Sequence, residues 1–362
     1  MRPTAYAIGM YVSYGKRIKA IVVAVLMLIA SAVFGLGLGG SAAASEYVYT
    51  GAIEHIFTHE LVYDTERAFA ADNSLRNCFD KDHLTAREFE RLLLSLHSNG
   101  YALISLDAAL GGEPIIMPSG KKPIVMSFDD MTYDTVGRGC IDRIVLDGGK
   151  VCDYTARAEK QKTRERENVS ILERFIEEHP DFSVNGGRAT VCVNGYNGIL
   201  GYRITPSSKV SDNVMARDTE GCKAVVAELK RLGYTFASHT YYHKYFNSMS
   251  YAEVEKDCAM WDEYIKPIVG DTSVLCFPAG EHNAKSGKLE VFRKHGFDTF
   301  LCVGAGATKF EREMTGVNFV YRKPFDGTAL RLYKEQYAHL VDCEEIYDLA
   351  RFRPYSYKGG YY

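Results

Sequence analysis

The sequence lacks several features that would indicate other classes of protein. Its formal net charge is −3 over 362 residues, so the basic surface typical of nucleic-acid binding is not expected. Nine cysteines occur without any C-x-x-C pair, which argues against a zinc site built from paired thiolates. A G-x-S-x-G turn is also missing, which disfavours an esterase with a serine nucleophile.

The first 45 residues have the composition of an export segment. Basic residues up to Lys19 precede an apolar stretch at 20–40, and small residues follow at 41–45. This order is typical of a signal peptide, and the apolar stretch is also long enough to span a bilayer core of roughly 30 Å. Cleavage and retention as a membrane anchor both remain open. Either way, the sequence predicts an extracellular or cell-envelope protein that meets the membrane only through residues 1–45.

Beyond residue 45, short apolar segments alternate with amphipathic helical segments. The predicted strands include Lys122–Phe128 and residues 188–193, 234–237, 273–277, 297–303 and 317–321. The predicted helices are residues 85–98, 169–178, 214–232, 251–269 and 285–295. Such alternation indicates parallel strands joined by helical crossovers, so we predict one α/β domain at 46–350. A barrel and a doubly wound sheet both fit this pattern.

Two stretches depart from the alternation. Residues 138–167 contain Asp147-Gly148-Gly149, which predicts a hairpin turn, and we interpret them as an insertion above the strand ends. Residues 351–362 are rich in Tyr and Gly and are predicted to form a tail.

Polar residues follow three of the predicted strands, at the end where α/β folds place their functional groups. Asp129 and Asp130 follow Phe128, and a metal ion bound to one of them would relieve the repulsion between two desolvated carboxylates. His239 and His243 have the i, i+4 spacing at which two imidazoles on one helical turn can reach one ion. Residues 277–282 form a Pro- and Gly-containing turn whose backbone N–H groups could bind a substrate oxygen.

Each of these features has an ordinary alternative when it is taken singly. The two acids could cap a turn, the two histidines could lie at an exposed helix start, and the third turn could simply connect a strand to a helix. Their order along the chain is more informative. Ser-Phe-Asp-Asp, then Ser-His-x-x-x-His, then Phe-Pro-Ala-Gly resembles the NodB-homology polysaccharide deacetylases, which form carbohydrate esterase family four.

This resemblance covers roughly residues 52–335 and implies a deformed parallel (β/α) barrel with a metal site. Asp130, His239 and His243 match the family's metal ligands, and Asp129 matches its general base. Zinc is the expected divalent ion, although one carboxylate and two imidazoles also suit Co, Ni or Fe. The implied substrate is an acetylated polysaccharide or oligosaccharide.

The sequence departs from the family pattern at several positions. Met131 stands where the family has Gly, and Cys276 stands where the family has an Arg beside the base. Arg322, past the strand at 317–321, is a candidate replacement for that Arg. The family's late Leu-x-His motif, which supplies a general acid, has no match, and His282 and His339 are candidates only by residue type.

The sequence leaves two classes of function open. The first is a metal-dependent hydrolase that removes N-acetyl or O-acetyl groups from cell-wall or surface polysaccharide. The second is a carbohydrate-binding protein on the same scaffold, with a metal and little turnover. The spare carboxylate of Asp129 favours the hydrolase, because a binding protein does not need a base. In either case Pro278, Gly280, His282 and Arg322 are predicted to contact the substrate or the base.

Overall fold

Seven parallel strands close into a barrel in the computed structural model. Their order around the barrel follows their order along the chain, and the last strand pairs with the first and with the sixth. They are β2 (Glu54–Thr58), β5 (Lys122–Phe128), β9 (Thr190–Val193), β10 (Thr235–Ser238), β11 (Val274–Cys276), β12 (Thr299–Val303) and β14 (Asn318–Pro324). This closure confirms the predicted deformed (β/α) barrel and excludes the doubly wound sheet.

The structure describes residues 45–133, 137–206, 210–304, 310–312 and 317–351, and the side chains of 310–312 are not described. Apart from residue 45, the predicted signal or anchor segment lies outside these ranges, as does the predicted tail after Arg351. Within them, no helix is long and apolar enough to cross a membrane. The described residues from Tyr47 to Arg351 form one compact unit.

Shorter strands complete the sheets. β3 pairs in parallel with the first half of β5, and β13 pairs antiparallel with β14. β1 and β4 form a separate two-stranded sheet, and β6, β7 and β8 form a three-stranded one. Their bounds are β1 (Glu46–Tyr49), β3 (Tyr101–Leu103), β4 (Ile115–Pro118), β6 (Arg143–Asp147), β7 (Lys150–Tyr154), β8 (Lys162–Thr163) and β13 (Phe310–Arg312).

The described helices cover the outside of the barrel and bury their apolar faces against it. They are α1 (Thr65–Ala68), α2 (Arg76–Asp82), α3 (Ala86–Ser98), α4 (Leu106–Leu110), α5 (Asn168–Glu178), α6 (Asp212–Leu232), α7 (Tyr251–Tyr264), α8 (Lys266–Val269), α9 (Leu289–Lys294), α10 (Gly327–Leu332), α11 (Lys334–Tyr337) and α12 (Cys343–Ile346). α3 and α7 each begin with a capping box, at Thr85 and Ser250, which satisfies backbone donors at the helix start.

Two predicted helices differ from the structure for local reasons. The segment predicted as one helix at 251–269 is two, α7 and α8, because Pro267 cannot donate the backbone hydrogen bond that would continue the first. The helix predicted at 285–295 begins only at Leu289, because the Asn283 and Ser286 side chains accept from nearby backbone N–H groups and form turns instead.

Residues 138–167, which we interpret as an insertion, contain a hairpin. β6 and β7 pair antiparallel through a turn at Gly148 and Gly149, whose φ angles are 56° and 78°. Two successive positive φ angles are the requirement of a type I′ turn. Near the end of the described chain, Arg351 is buried and pairs with Glu88.

The barrel interior changes from apolar to polar along the strand direction. Near the strand starts, the inner wall is apolar and includes Val125, Val274 and Val320. One inward-facing position further along, β5 presents Ser127, and Asp129 follows that strand at its end. The carboxyl ends of the parallel strands therefore meet at one polar mouth, where the functional groups of such barrels lie.

Candidate functional site

Asp129 and Asp130 follow β5 directly at the barrel mouth. The Asp129 N–H donates to the Thr58 carbonyl oxygen at 2.8 Å, which continues the β2–β5 pairing by one residue. Asp130 then turns away with a φ of 56°, a left-handed conformation that costs a non-glycine residue on the order of 1 kcal/mol. This turn lets adjacent carboxylates serve different partners.

His239 and His243 lie close to Asp130. The Asp130 Oδ1 atom is 3.7 Å from His239 Nε2 and 3.3 Å from His243 Nε2. The sequence predicted that a helical turn would bring the imidazoles together, and this was wrong. The segment is a loop after β10, in which Thr240 and His243 have φ angles of 57° and 52°, so two left-handed residues turn the chain back instead.

Backbone contacts fix the orientation of the His239 ring. The backbone N–H of His239 donates to the Val193 carbonyl oxygen, and the ring Nδ1 atom lies 3.0 Å from the Cys276 carbonyl oxygen. A carbonyl oxygen only accepts hydrogen bonds, so Nδ1 carries a proton and Nε2 is the ring atom that faces Asp130. This is the ring orientation that metal-binding histidines use.

The loop between the two histidines is held by Asp257 of α7. Its two carboxylate oxygens accept from the N–H groups of Tyr241 and Tyr242, each at 2.8 Å. Asp257 is buried, and burial raises the pKa of its carboxyl to about 6, although the two backbone hydrogen bonds act against this. The loop geometry therefore depends on a side chain that does not itself reach the barrel mouth.

Asp129 forms a bidentate ion pair with Arg322 of β14, which was the predicted replacement for the missing arginine. Arg322 Nη1 is 2.8 Å from Asp129 Oδ1, and Nη2 is 2.7 Å from Oδ2. Both residues are buried. Burial alone would raise the pKa of Asp129, but the Arg322 guanidinium lowers it well below its usual value, with smaller contributions from His239 and His59.

Cys276 lies beside this ion pair at the position of the family's arginine. Its Sγ is 2.8 Å from Arg322 Nη2 and 3.5 Å from Asp129 Oδ2. The thiol is fully buried and leaves space for the guanidinium that enters from β14. The arginine therefore reaches Asp129 from a different strand than the family motif predicts.

Residues 277–282 form a tight turn. The sequence predicted that its backbone N–H groups could bind a substrate oxygen, and for two of them the structure does not support this. Gly280 and Glu281 donate to Phe277 and Pro278 within the turn, at 2.9 and 3.2 Å, and are not free to bind a substrate oxygen. Gly280 has a φ of 65°, and a Cβ there would lie 2.3 Å from the Val303 side chain, so this position requires glycine.

The two histidines considered as general acids lie elsewhere. His282 Nε2 is 3.2 Å from the Tyr321 hydroxyl, and its Nδ1 is 3.0 Å from the Gly280 carbonyl oxygen. His339 pairs with Glu54 at 2.9 Å. None of the hydrogen bonds found in the described part of the chain joins His282, Pro278 or Gly280 to Asp129 or Asp130.

His59 is a candidate that sequence reasoning missed. It follows β2 at the barrel mouth, and its Nδ1 lies 2.7 Å from the Asp82 carbonyl oxygen. Burial alone would lower the pKa of His59, but the carboxylates of Asp130, Asp129 and Asp82, with that of Asp326, raise it above its usual value. The ring therefore favours the protonated form that a proton donor needs.

Asn194 is the second missed residue, and it follows β9. Its Nδ2 donates to Asp130 Oδ1 at 3.1 Å, and its Oδ1 accepts from the Thr132 hydroxyl at 2.9 Å. The signal that could have found both residues is positional, because each is the first residue after a barrel strand. The β2 strand has the sequence EHIFT, and its polar residues hid it from a search for apolar runs.

Comparison with known proteins supports the resemblance. A family model described as "Polysaccharide deacetylase" matches residues 183–300, which include His239, His243 and the Pro278–Gly280 turn. The resemblance to the polysaccharide deacetylases that the motifs indicated is thereby confirmed. Asp129 and Asp130 precede the matched segment.

Several solved structures share similarity with the chain. Streptococcus pyogenes deacetylase PplD in complex with acetate is 14% identical, with 82% of this chain and 99% of that chain covered and a TM-score of 0.44. IcaB from Ammonifex degensii is 12% identical, with 78% and 95% covered and a TM-score of 0.43. The BpsB deacetylase domain from Bordetella bronchiseptica is 14% identical, with 75% and 96% covered and a TM-score of 0.37. No curated protein sequence matches the chain.

Proposed function

We propose that this protein is a metal-dependent hydrolase that removes acetyl groups from N-acetylated or O-acetylated polysaccharide of the cell wall or cell surface. The observation that carries the proposal is the grouping at the barrel mouth, where Asp130, His239 and His243 lie within reach of one ion and beside the spare carboxylate of Asp129. The family match to residues 183–300 supports the same substrate class. The export-like composition of residues 1–45 supports action at the cell envelope.

The side chains of Asp130, His239 and His243 fit a divalent metal. One ligand atom from each lies within 4.8 Å of the other two, and the His239 ring is held with Nε2 available. Three protein ligands leave a coordination position open, as catalytic zinc sites do. A divalent ion bound there supplies Lewis acidity toward an acetyl carbonyl and toward water, with zinc as the proposed ion.

Asp129 accepts the proton that the attacking water loses. Arg322 fixes both of its oxygens, so the carboxylate cannot rotate away and stays ionised at every ordinary pH. Asn194 Nδ2 donates to Asp130 Oδ1, the oxygen that also faces the two imidazoles. The two neighbouring acids therefore have separate functions, with Asp129 as the base and Asp130 as the ligand.

His59 donates a proton to the leaving nitrogen or oxygen of the sugar. Its Nδ1 proton is committed to the Asp82 carbonyl oxygen, so Nε2 carries the transferable proton in the imidazolium form. Among the carboxylates that raise the pKa of His59, those of Asp82 and Asp326 take no part in the proposed metal site and still favour that form. This assignment fills the place of the general acid that the sequence motif lacks.

One observation favours the alternative of a carbohydrate-binding protein with little turnover. The Arg322 pair holds the pKa of Asp129 so low that its carboxylate is a weak base, and general-base efficiency falls as the pKa moves away from the working pH. The alternative predicts a bound metal and sugar affinity with no release of acetate.

The substitution Asp129→Asn separates the two functions. The amide keeps the size of the side chain but cannot take a proton, so metal content should persist while acetate release falls by about 10²-fold or more. Acetate is measured with N-acetylglucosamine oligomers and with an O-acetylated glycan. Asp218→Asn is the matched control, because Asp218 is a buried, arginine-paired carboxylate on α6 and its substitution should not change turnover.

Two results would contradict the proposed hydrolase. Metal-loaded wild-type protein that releases no acetate from either substrate class would support the binding protein. Acetate release by Asp129→Asn at the wild-type rate would remove Asp129 as the base.

A further inference from the structure

A second cluster of metal-ligating side chains lies next to the barrel mouth. Glu60, His83 and Cys140 each offer one ligand atom, and these atoms all lie within 4.8 Å of one another. The three residues are 4%, 7% and 1% exposed. They come from three separate segments: the chain after β2, the residue after α2, and the start of the hairpin insertion. This cluster shares no residue with Asp130, His239 and His243.

The His83 ring is oriented as a metal ligand would be. Its Nδ1 lies 2.7 Å from the Glu60 carbonyl oxygen, and because that oxygen only accepts, Nδ1 carries the proton and Nε2 presents a lone pair. A fourth potential ligand is present on that side of the ring, since Cys78 Sγ of α2 lies 4.0 Å from His83 Nε2. Arg351 donates to the His83 carbonyl oxygen and holds the backbone there.

The segment that carries Cys140 is also fixed. The Tyr63 and Asp64 N–H groups both donate to the Gly139 carbonyl oxygen, at 2.9 and 3.1 Å. Gly139 has a φ of 119°, and a Cβ there would lie 2.6 Å from the Ala68 side chain, so only glycine allows this approach. The Cys140 side chain packs in a small apolar cluster of its own, the kind of shell that limits water at structural metal sites.

We propose that Glu60, His83, Cys140 and Cys78 bind a second, structural divalent metal with thiophilic character, zinc foremost. With Zn–S near 2.3 Å and Zn–N near 2.0–2.1 Å, two ligand atoms of a tetrahedral zinc lie about 3.5 Å apart. The ligand atoms of Glu60, His83 and Cys140 lie within 4.8 Å of one another, so these three need only small side-chain movements. Cys78 Sγ lies 4.0 Å from His83 Nε2 and donates to Asp82 Oδ2 at 3.6 Å, so this side chain has to exchange its contact with Asp82 for the metal. Two thiolates, one imidazole and one carboxylate suit zinc better than Mg or Ca. Binding releases the two thiol protons to solvent.

A metal at this place would fix the surroundings of His59. Glu60 follows His59 directly, the His59 and His83 ring centroids are 5.7 Å apart, and His59 also contacts the last residue of α2, Asp82. Four protein ligands leave no open position, so this ion would tie three segments together and take no part in hydrolysis. The site does not depend on whether the protein is a deacetylase.

Metal counting tests the site. Untagged protein is loaded with zinc, dialysed, and analysed by mass spectrometry of the metal. The double variant His239→Ala/His243→Ala should lose the barrel-mouth ion and retain one equivalent of zinc. Adding Cys140→Ser should remove that equivalent. No zinc in the double variant after loading would overturn the proposal, as would full retention after Cys140→Ser.

Cobalt substitution tests the ligand type without reference to activity. Thiolate ligands give Co²⁺ an intense near-ultraviolet charge-transfer band, which a site made of Asp130, His239 and His243 cannot give. The band should be present in wild-type protein, weaker in Cys78→Ser, and absent in Cys140→Ser. Cys192→Ser is the control, because Cys192 lies in the barrel interior beside Cys276, and the band should remain.

Cys140 is buried, so Cys140→Ser could lose the band through misfolding. Cys78 is exposed on α2, so Cys78→Ser tests a thiolate ligand without disturbing the core. A band unchanged in both Cys78→Ser and Cys140→Ser would overturn the ligand assignment. A disulfide between Cys78 and Cys140, found by peptide mapping of the native protein, would also overturn it, because both thiols would then be unavailable to the metal.

Discussion

His59 combines two properties that a general acid needs, which are a fixed ring and a charge that its neighbours favour. Its Nδ1 hydrogen bond to the Asp82 carbonyl oxygen prevents rotation of the ring. The nearby carboxylates raise its pKa, although burial opposes this. Neither property can be read from the residue type, because His97 has the same side chain but contacts the exposed Asp181 carboxylate and a group of aromatic rings instead.

The substitution His59→Gln should affect substrates according to their leaving group. Removal of an N-acetyl group needs a proton on the leaving nitrogen, so this rate should fall by about 10²–10⁴-fold. A nitrophenyl acetate leaves without a proton, so its hydrolysis should stay within a few-fold of wild type. Metal content should not change. Equal losses on both substrates would contradict the assignment, and His97→Gln is the control.

The Arg322 side chain shows how one buried charge can serve several contacts. It pairs with Asp129, donates to the Ser127 hydroxyl at 2.7 Å, and lies 4.1 Å over the ring of Phe57. A buried ion pair gains its stability only when its remaining hydrogen-bonding capacity is satisfied. Arg322 therefore supplies a positive charge to Asp129 from β14, with both Nη atoms paired and only Nε left without a hydrogen-bond partner within the described structure.

At the scale of elements, the spacing of the two histidines depends on helix α7. Asp257 accepts from two successive N–H groups of the loop after β10, and Gly195 and Tyr196 donate to the Tyr241 carbonyl oxygen from the neighbouring β9 loop. Loops with several left-handed residues are strained and persist only when their surroundings determine them.

The substitution Asp257→Ala should therefore weaken metal binding at the barrel mouth without touching a ligand. Loss of such an outer contact typically lowers metal affinity by about 10–100-fold, which competition with a chelator measures directly. Asp262→Ala is the matched control, because Asp262 lies on the same helix and contacts the partly exposed His295. Unchanged affinity in Asp257→Ala would show that the loop holds its own shape.

The elements were more predictable than the contacts between them. The capping box of Thr85 and Glu88 predicts the start of α3, and Ser250 as an N-cap predicts the start of α7. Apolar runs predict β5 and β12. All of these signals are local. The prediction failed where a distant group decides the outcome. The His239–His243 loop is shaped by Asp257, and His59 becomes a candidate only once β2 is paired between β5 and β14.

The polar mouth of the barrel requires charged groups to be buried, which costs stability. Its lower interior is apolar, yet Asp129, Arg322 and Asp326 are all buried near the upper end. Such groups cost stability unless they are paired, and Asp326 is only partly compensated. Its Oδ1 caps α10 by accepting from the Ala329 N–H at 2.7 Å, whereas Oδ2 has no hydrogen-bond partner within the described structure.

The stability of metal-free protein should reveal this cost through pH. Burial raises the pKa of Asp326 to about 6, from a usual value of 3.8, with Asp82 adding to the effect and the Ala329 cap and His59 opposing it. The folded state therefore binds the proton more tightly than the unfolded state does. The stabilisation is complete below pH 3.8 and is lost as the pH rises through about 6.

The substitution Asp326→Asn keeps the cap but cannot ionise. The free energy of unfolding of the variant, minus that of wild type, should rise by roughly 3 kcal/mol between pH 4 and pH 8, because a shift of one pKa unit corresponds to about 1.4 kcal/mol. Reversible urea unfolding at the two pH values measures it. Asp342→Asn, which removes the charge from an exposed cap of α12, should give the same difference at both. A constant difference for Asp326→Asn would show that the buried charge of Asp326 does not destabilise the fold.

The Asp326 charge is nonetheless useful to the barrel mouth, because it helps to keep His59 protonated. We therefore expect the stabilised variant to release acetate more slowly at pH 8, a cost of the kind seen when functional sites are made more stable.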